Sequence, residues 1–149
     1  MKQMLTIPST SEGMLHADEF ITTFCDDMHV SDYLATITVS VSNAVNNAVS
    51  HGNKNNPNKQ VTIECGHCKG GVYVQVSDQG LGFDYEKYGD MPGNGNGIFL
   101  MKMLCDRLLF FKGGSVVRME FEVDGVSQRE TIRRGSVMKK YSQKQRIHA

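Results

Sequence analysis

Four groups of residues in this chain have types and spacings that could do chemistry. Asn43, Asn47 and His51 recur at i, i+4 and i+8, so on a helix they share one face. A row of carboxamides ending in an imidazole can reach a metal ion or a phosphate. It can also be a solvated helix face, with His51 capping the helix end. Asp78 follows the alternating run Val72-Tyr73-Val74-Gln75-Val76 and precedes Gly80 and Gly82. An acid at a strand end beside two glycines offers a hydrogen-bond acceptor next to backbone that a ligand can approach closely. Gly93-Asn94-Gly95-Asn96-Gly97 stands before an apolar run opening at Ile98. If that run is a helix, free amides around Asn96, Gly97 and Ile98 make a phosphate site. Last, Cys65-Gly66-His67-Cys68 has the spacing of a redox dithiol and supplies three metal-ligand types in four residues.

These groups need elements to hold them. Residues 4–7 predict a short strand stopped by Pro8, and 12–28 a first helix. A second helix starts after Ser31, a good N-cap, and runs to about 51–52. Its apolar positions Leu34, Ile37, Val41, Ala44, Val45 and Ala48 define a buried face turned away from the asparagine stripe. Then the period changes. Residues 61–64 and 72–76 are β-branched and alternating, with Lys69-Gly70-Gly71 between them, which predicts a hairpin. Residues 98–104 predict a short helix, and 108–111 with 116–123 a second hairpin turning at Gly113-Gly114. This order predicts an α+β, two-layer sandwich with helices on one face of a mostly antiparallel mixed sheet. Six of the fifteen glycines fall within 78–97, and loops of that length in a compact domain usually carry function. For the redox dithiol, a strand follows where a helix N-terminus would be needed. The plain alternative is two thiols near a hairpin turn.

The chain has 149 residues, about one domain, divided here into 1–125 and a basic tail of 126–149 expected to be flexible. The formal net charge of zero hides an asymmetry: 129–149 hold seven Lys or Arg and one acid, leaving nine bases against fifteen acids in 1–128. An acidic body is not the footprint of a dedicated nucleic-acid binder. No stretch nears the roughly 18 unbroken apolar residues of a membrane span, and no basic segment followed by an apolar run opens the chain. The cytoplasm is the expected compartment, and the four cysteines are expected as free thiols.

Three of these strings carry a resemblance. NAVNNAVSHGN (43–53) resembles the N box of the GHKL ATPase superfamily, which includes gyrase, heat-shock ATPase chaperones and histidine kinases. DQGLGF (78–83) and GNGNGIFLMKMLCD (93–106) resemble its two glycine boxes, in the same order. The wording NAVSHGN, and a compact length with no phosphoacceptor-histidine helix pair, make the nearest likeness the bacterial anti-sigma factor serine kinases, over roughly 5–123. The resemblance implies a Bergerat fold that binds ATP or ADP with Mg²⁺ beneath a lid at about 84–96. It implies that Asn47 ligates Mg²⁺ and that Asp78 accepts from the adenine amino group. Gly80 and Gly82 would pass the base, and Asn96, Gly97 and Ile98 would hold phosphates, with His51 nearby. Ser115 takes the place of a threonine near the adenine. The implied activity is transfer of the γ-phosphate to a serine of an antagonist (anti-anti-sigma-like) protein. The implied partners are that protein, a sigma factor and a second copy of the chain. One position departs from the pattern: Asn43 stands where the family has a glutamate as general base. A carboxamide can position a hydroxyl but cannot take its proton. Two readings follow, a protein serine kinase and a nucleotide-gated binding switch without phosphotransfer.

Overall fold

Thr10 starts the first helix. Its backbone is extended, and its hydroxyl accepts from the Gly13 N–H at 3.0 Å, satisfying one of the orphan donors of the first turn. Helix α1 then runs Ser11–Asp27, burying Gly13, Ala17, Ile21, Phe24 and Cys25 along one stripe. The computed structural model describes residues 2–87 and 97–123. The second helix has three parts: a 3₁₀ turn at Ser31–Tyr33, helix α2 at Leu34–Asn47, and a π turn at Ala48–Gly52. Ser31 is therefore the first residue of the 3₁₀ turn and not an N-cap. The turn is closed instead by the Tyr33 N–H donating to the Val30 carbonyl at 2.9 Å. Helix α3 spans Ile98–Leu104.

The strands are β1 Gln3–Pro8, β2 Gln60–Cys68, β3 Gly71–Ser77, β4 Arg107–Phe111 and β5 Val116–Glu122. Among the described residues they form one sheet, ordered β1-β2-β3-β5-β4, in which every pairing is antiparallel. The register explains the two layers. Leu5, Ile63, Val76, Val117 and Phe110 lie opposite one another in a row across all five strands. Cys65, Val74, Met119 and Leu108 form a parallel row. A strand repeats every two residues, so these rows share a face. They pack with Ile21 and Phe24 of α1, Ile37 and Val41 of α2, and Ile98 and Met101 of α3 in one core. The other face is polar. Glu64 meets Lys2 at 3.5 Å and accepts from the Tyr73 hydroxyl at 2.9 Å. The Arg118 guanidinium lies 3.9 Å over the Tyr73 ring, and Glu120 pairs with both Arg118 and Arg107.

Candidate functional site

A cavity of about 310 Å³ opens between α2 with its π turn on one side and the β3 end, the β4–β5 hairpin and α3 on the other. Ala44 and Ala48 are the small residues that leave the room. Val76, Met101, Phe110 and Val117 complete an apolar interior. Asn47, His51, Asp78 and Ser115 bring the polar groups to its wall. Gly82 and Phe83 line the same space.

The π turn brings Gly52 against Asp78. The Asn53 N–H donates to the Ala48 carbonyl five residues back at 2.8 Å, widening the last turn of the helix. A Cβ at position 52 would collide with the Asp78 carboxylate, so only glycine permits this approach. Asp78 itself is held by backbone. Its N–H donates to the Ser115 carbonyl at 2.9 Å, and its Oδ1 accepts from the Gly80 N–H at 2.8 Å. Burial raises its carboxyl above the ordinary carboxylate value, opposed in part by the Gly80 N–H and the Lys59 charge. The Ser115 hydroxyl donates to the Lys112 carbonyl at 3.0 Å, which leaves its oxygen free only to accept.

The asparagine stripe divides. Asn47 and His51 reach the cavity wall, but Asn43 does not. Its Nδ2 donates to the Val39 carbonyl at 2.9 Å, and its amide oxygen packs against Gly97, which stands at φ 72° before α3. The carboxamide is thus turned back onto its own helix, the bonding mode open to a short amide and closed to a carboxylate. Ile98 is wholly buried, so only its backbone amide could meet a ligand. Asn96 lies outside the described residues, as do most of the expected lid at 84–96 and the whole tail from 126 to 149. The first lid residues are described: Tyr85 stacks on Phe110 at 4.3 Å, and Phe83 meets both rings edge-on. Phe83, Met101 and Phe110 escaped the sequence reading. The face of Ala44 and Ala48, expected to turn away from the asparagine stripe, instead lines the same cavity as Asn47 and His51, because small residues at i and i+4 here border a depression as well as the core.

The Cys65–Cys68 alternative is corrected by strand parity. Both belong to β2, three residues apart, so their side chains leave opposite faces of the sheet. Cys65 is fully buried in the core, and its thiol is pushed up to about 12 by burial, the reverse of an activated thiolate. None of the four cysteines is in a disulfide, and no cluster of three or more His, Cys, Asp or Glu among the described residues could hold a metal. No helix among them is long and apolar enough to cross a membrane.

A helical layer over an antiparallel sheet, with an acid at a strand end facing an asparagine-bearing helix, defines a class. Residues 7–121 match the histidine kinase-like ATPase domain, and the chain belongs to that family. Among curated proteins it is similar to two described as "Anti-sigma F factor", from Clostridium botulinum strains Eklund 17B (Type B) and Alaska E43 (Type E3). Each is 29% identical over 87 residues, covering 52% of this chain and 61% of the relative. The chain thus spans less than two thirds of the length of these relatives. Membership in the ATPase family carries nucleotide binding with it.

Proposed function

We propose that this chain is an ATP- and ADP-binding regulator of the anti-sigma type, acting on protein partners. The observation that carries the reading is an apolar cavity with the Asp78 carboxylate on one wall and Asn47 and His51 on the other side. A purine needs a flat apolar slot, and its amino group needs an acceptor, which an ionised Asp78 supplies. Gly80 and Gly82 let backbone run close to the base. By the resemblance, the amides at Gly97 and Ile98, together with Asn96, would hold the phosphates. Asn47 fits a hard cation, because a carboxamide oxygen can join phosphate oxygens and water around Mg²⁺. When bound there, Mg²⁺ neutralises charge on the terminal phosphates. By analogy with the relatives, the partners are a sigma factor and an antagonist protein, with a second copy of the chain completing a dimer.

Within this reading the chain would transfer the γ-phosphoryl group to a serine hydroxyl of the antagonist. Asn43 favours the second form of the reading, a switch in which ATP and ADP select partners while transfer is slow. Its amide is bonded to Val39 and has no capacity to take the serine proton. Positioning by the remaining residues still accelerates phosphoryl transfer, so slow turnover is expected rather than none. The test is calorimetric titration of ATP and ADP with Mg²⁺ into the wild type and Asn47→Ala, with phosphate release followed in parallel. Strong weakening of ATP binding in Asn47→Ala supports the site. No nucleotide binding by the folded wild type overturns it.

A further inference from the structure

Behind the cavity wall, hydrogen bonds from three segments converge on one buried side chain. Asn53 follows the π turn and is 1% exposed. Its Nδ2 donates to the Ser9 hydroxyl and to the Gln60 carbonyl, each at 2.9 Å. Its Oδ1 accepts from the Gln79 N–H at 2.8 Å. Gln79 completes a second link, its Oε1 accepting from the Gln60 N–H at 2.7 Å. Three segments are therefore tied together: the β1–α1 junction, the start of β2, and the residue next to Asp78. Asp78 is fixed on its near side by the Ser115 carbonyl and on its far side by Gln79. The near restraint is backbone to backbone. The far one is made by a side chain.

We infer that Asn53 is a positioning residue for nucleobase recognition. It holds the Gln79 amide, and through it the Asp78 carboxylate, against the Gly52 turn at the angle from which an adenine amino group can be met. The inference rests on the reading of Asp78 as the base acceptor. A purely structural asparagine would tie core elements to each other. This one ties them to the single residue whose direction decides which purine edge is accepted. Adenine presents an amino donor at its six position, and hypoxanthine presents a carbonyl acceptor that an ionised carboxylate repels. The ATP-to-ITP affinity ratio therefore reports the placement of Asp78, whereas overall stability does not.

The experiment is titration of ATP and ITP into the full chain and its variants, with thermal melts alongside. The wild type prefers ATP, and Asp78→Asn loses that preference. Asn53→Ala lowers the ATP-to-ITP ratio by about fivefold or more, the loss expected when one fixed polar contact is released. Ser9→Ala, which breaks the arm away from Asp78 together with the Ser9 hydroxyl's own bond to the Lys59 carbonyl at 2.7 Å, lowers the melting temperature and leaves the ratio within about twofold. If Asn53→Ala does not fold, Asn53→Ser withdraws the same acceptor from the Gln79 N–H in a smaller change and lowers the ratio by about threefold. An Asn53→Ala ratio no lower than that of Ser9→Ala overturns the inference, as does an unchanged ratio in a folded Asn53→Ser. An unchanged ratio in Asp78→Asn refutes the base reading itself, and the inference falls with it.

Discussion

Replacing Asn43 with glutamate separates what this position does for the fold from what it could do for chemistry. In the wild type the Asn43 Nδ2 donates to the Val39 carbonyl at 2.9 Å, and glutamate cannot make that bond. Losing one partly exposed hydrogen bond costs about 0.5–1.5 kcal/mol, and the better helix propensity of glutamate returns a few tenths. The melting temperature should fall by about 2–4 °C. The longer side chain must also leave the surface of Gly97, and turning along the helix takes it toward Asn47, one turn on. There a carboxylate becomes a general base, a role that typically contributes about 10²–10⁴ in rate, or roughly 2.7–5.4 kcal/mol of barrier. The assay is γ-phosphate release at saturating ATP with Mg²⁺, with ATP affinity titrated separately. Unchanged affinity with turnover raised at least about a hundredfold is the expected result. Unchanged affinity with unchanged turnover refutes the assignment of this position to proton transfer. A wild type already turning over at the roughly 1–100 s⁻¹ of ordinary protein kinases would refute the claim that its amide limits the reaction.

Other outcomes follow from the same site. Gly52→Ala places a methyl on the Asp78 carboxylate, so it should lose about 1–3 kcal/mol of stability in a melt and weaken ATP binding by tenfold or more in a titration. The raised Asp78 carboxyl protonates at a higher pH than an ordinary aspartate. ATP affinity should therefore fall on acidification before ordinary carboxylates titrate, and Asp78→Asn should flatten that limb. The linked stability change has the opposite sign. The native state binds more protons than the unfolded one between the ordinary and the raised value, so this group's contribution to stability improves as pH falls through that window. Among the thiols, Cys65 at about 12 and Cys25 at about 11 should resist alkylation of the native protein at pH 8. The half-buried Cys68 should react first by peptide mass mapping, and early labelling of Cys65 would contradict its burial.

The elements were legible where local chemistry and period agreed. The helix at 98–104 and the strands of both hairpins follow from apolar spacing and from glycines at the turns. The strand β2 ran further than its β-branched core suggested, taking in Cys65 to Cys68. Pairing with β3 all the way to Cys68, and with β1 as far as Cys65, overrides the weak strand preference of glycine and supplies partners no local pattern contains. In the site, Asp78, Asn47 and His51 were legible because polar residues at those spacings need a reason. Asn43 looked like their companion because a helical repeat says which face a side chain leaves from, not whether it bonds back to its own helix. Phe83 and Phe110 were invisible because aromatics in a strand and a loop read as core until the cavity beside them is known. Asn53 read as part of a helix stop, since its three partners come from segments up to 44 residues away.

The π turn at Ala48–Gly52 makes the number of residues here as consequential as their identities. Its carbonyls are bonded five residues on rather than four, so the turn holds about one residue more than an α-helix would spend on the same path. Deleting a single residue between Asn47 and Asn53 would let an ordinary α-helix span the same path, closing the wide turn and leaving what lies beyond it in place. The widened backbone that carries Gly52 onto Asp78 would be lost. A one-residue deletion in this stretch should thus be more damaging than most single substitutions in it, while the polar loop at 54–58 should accept changes of length.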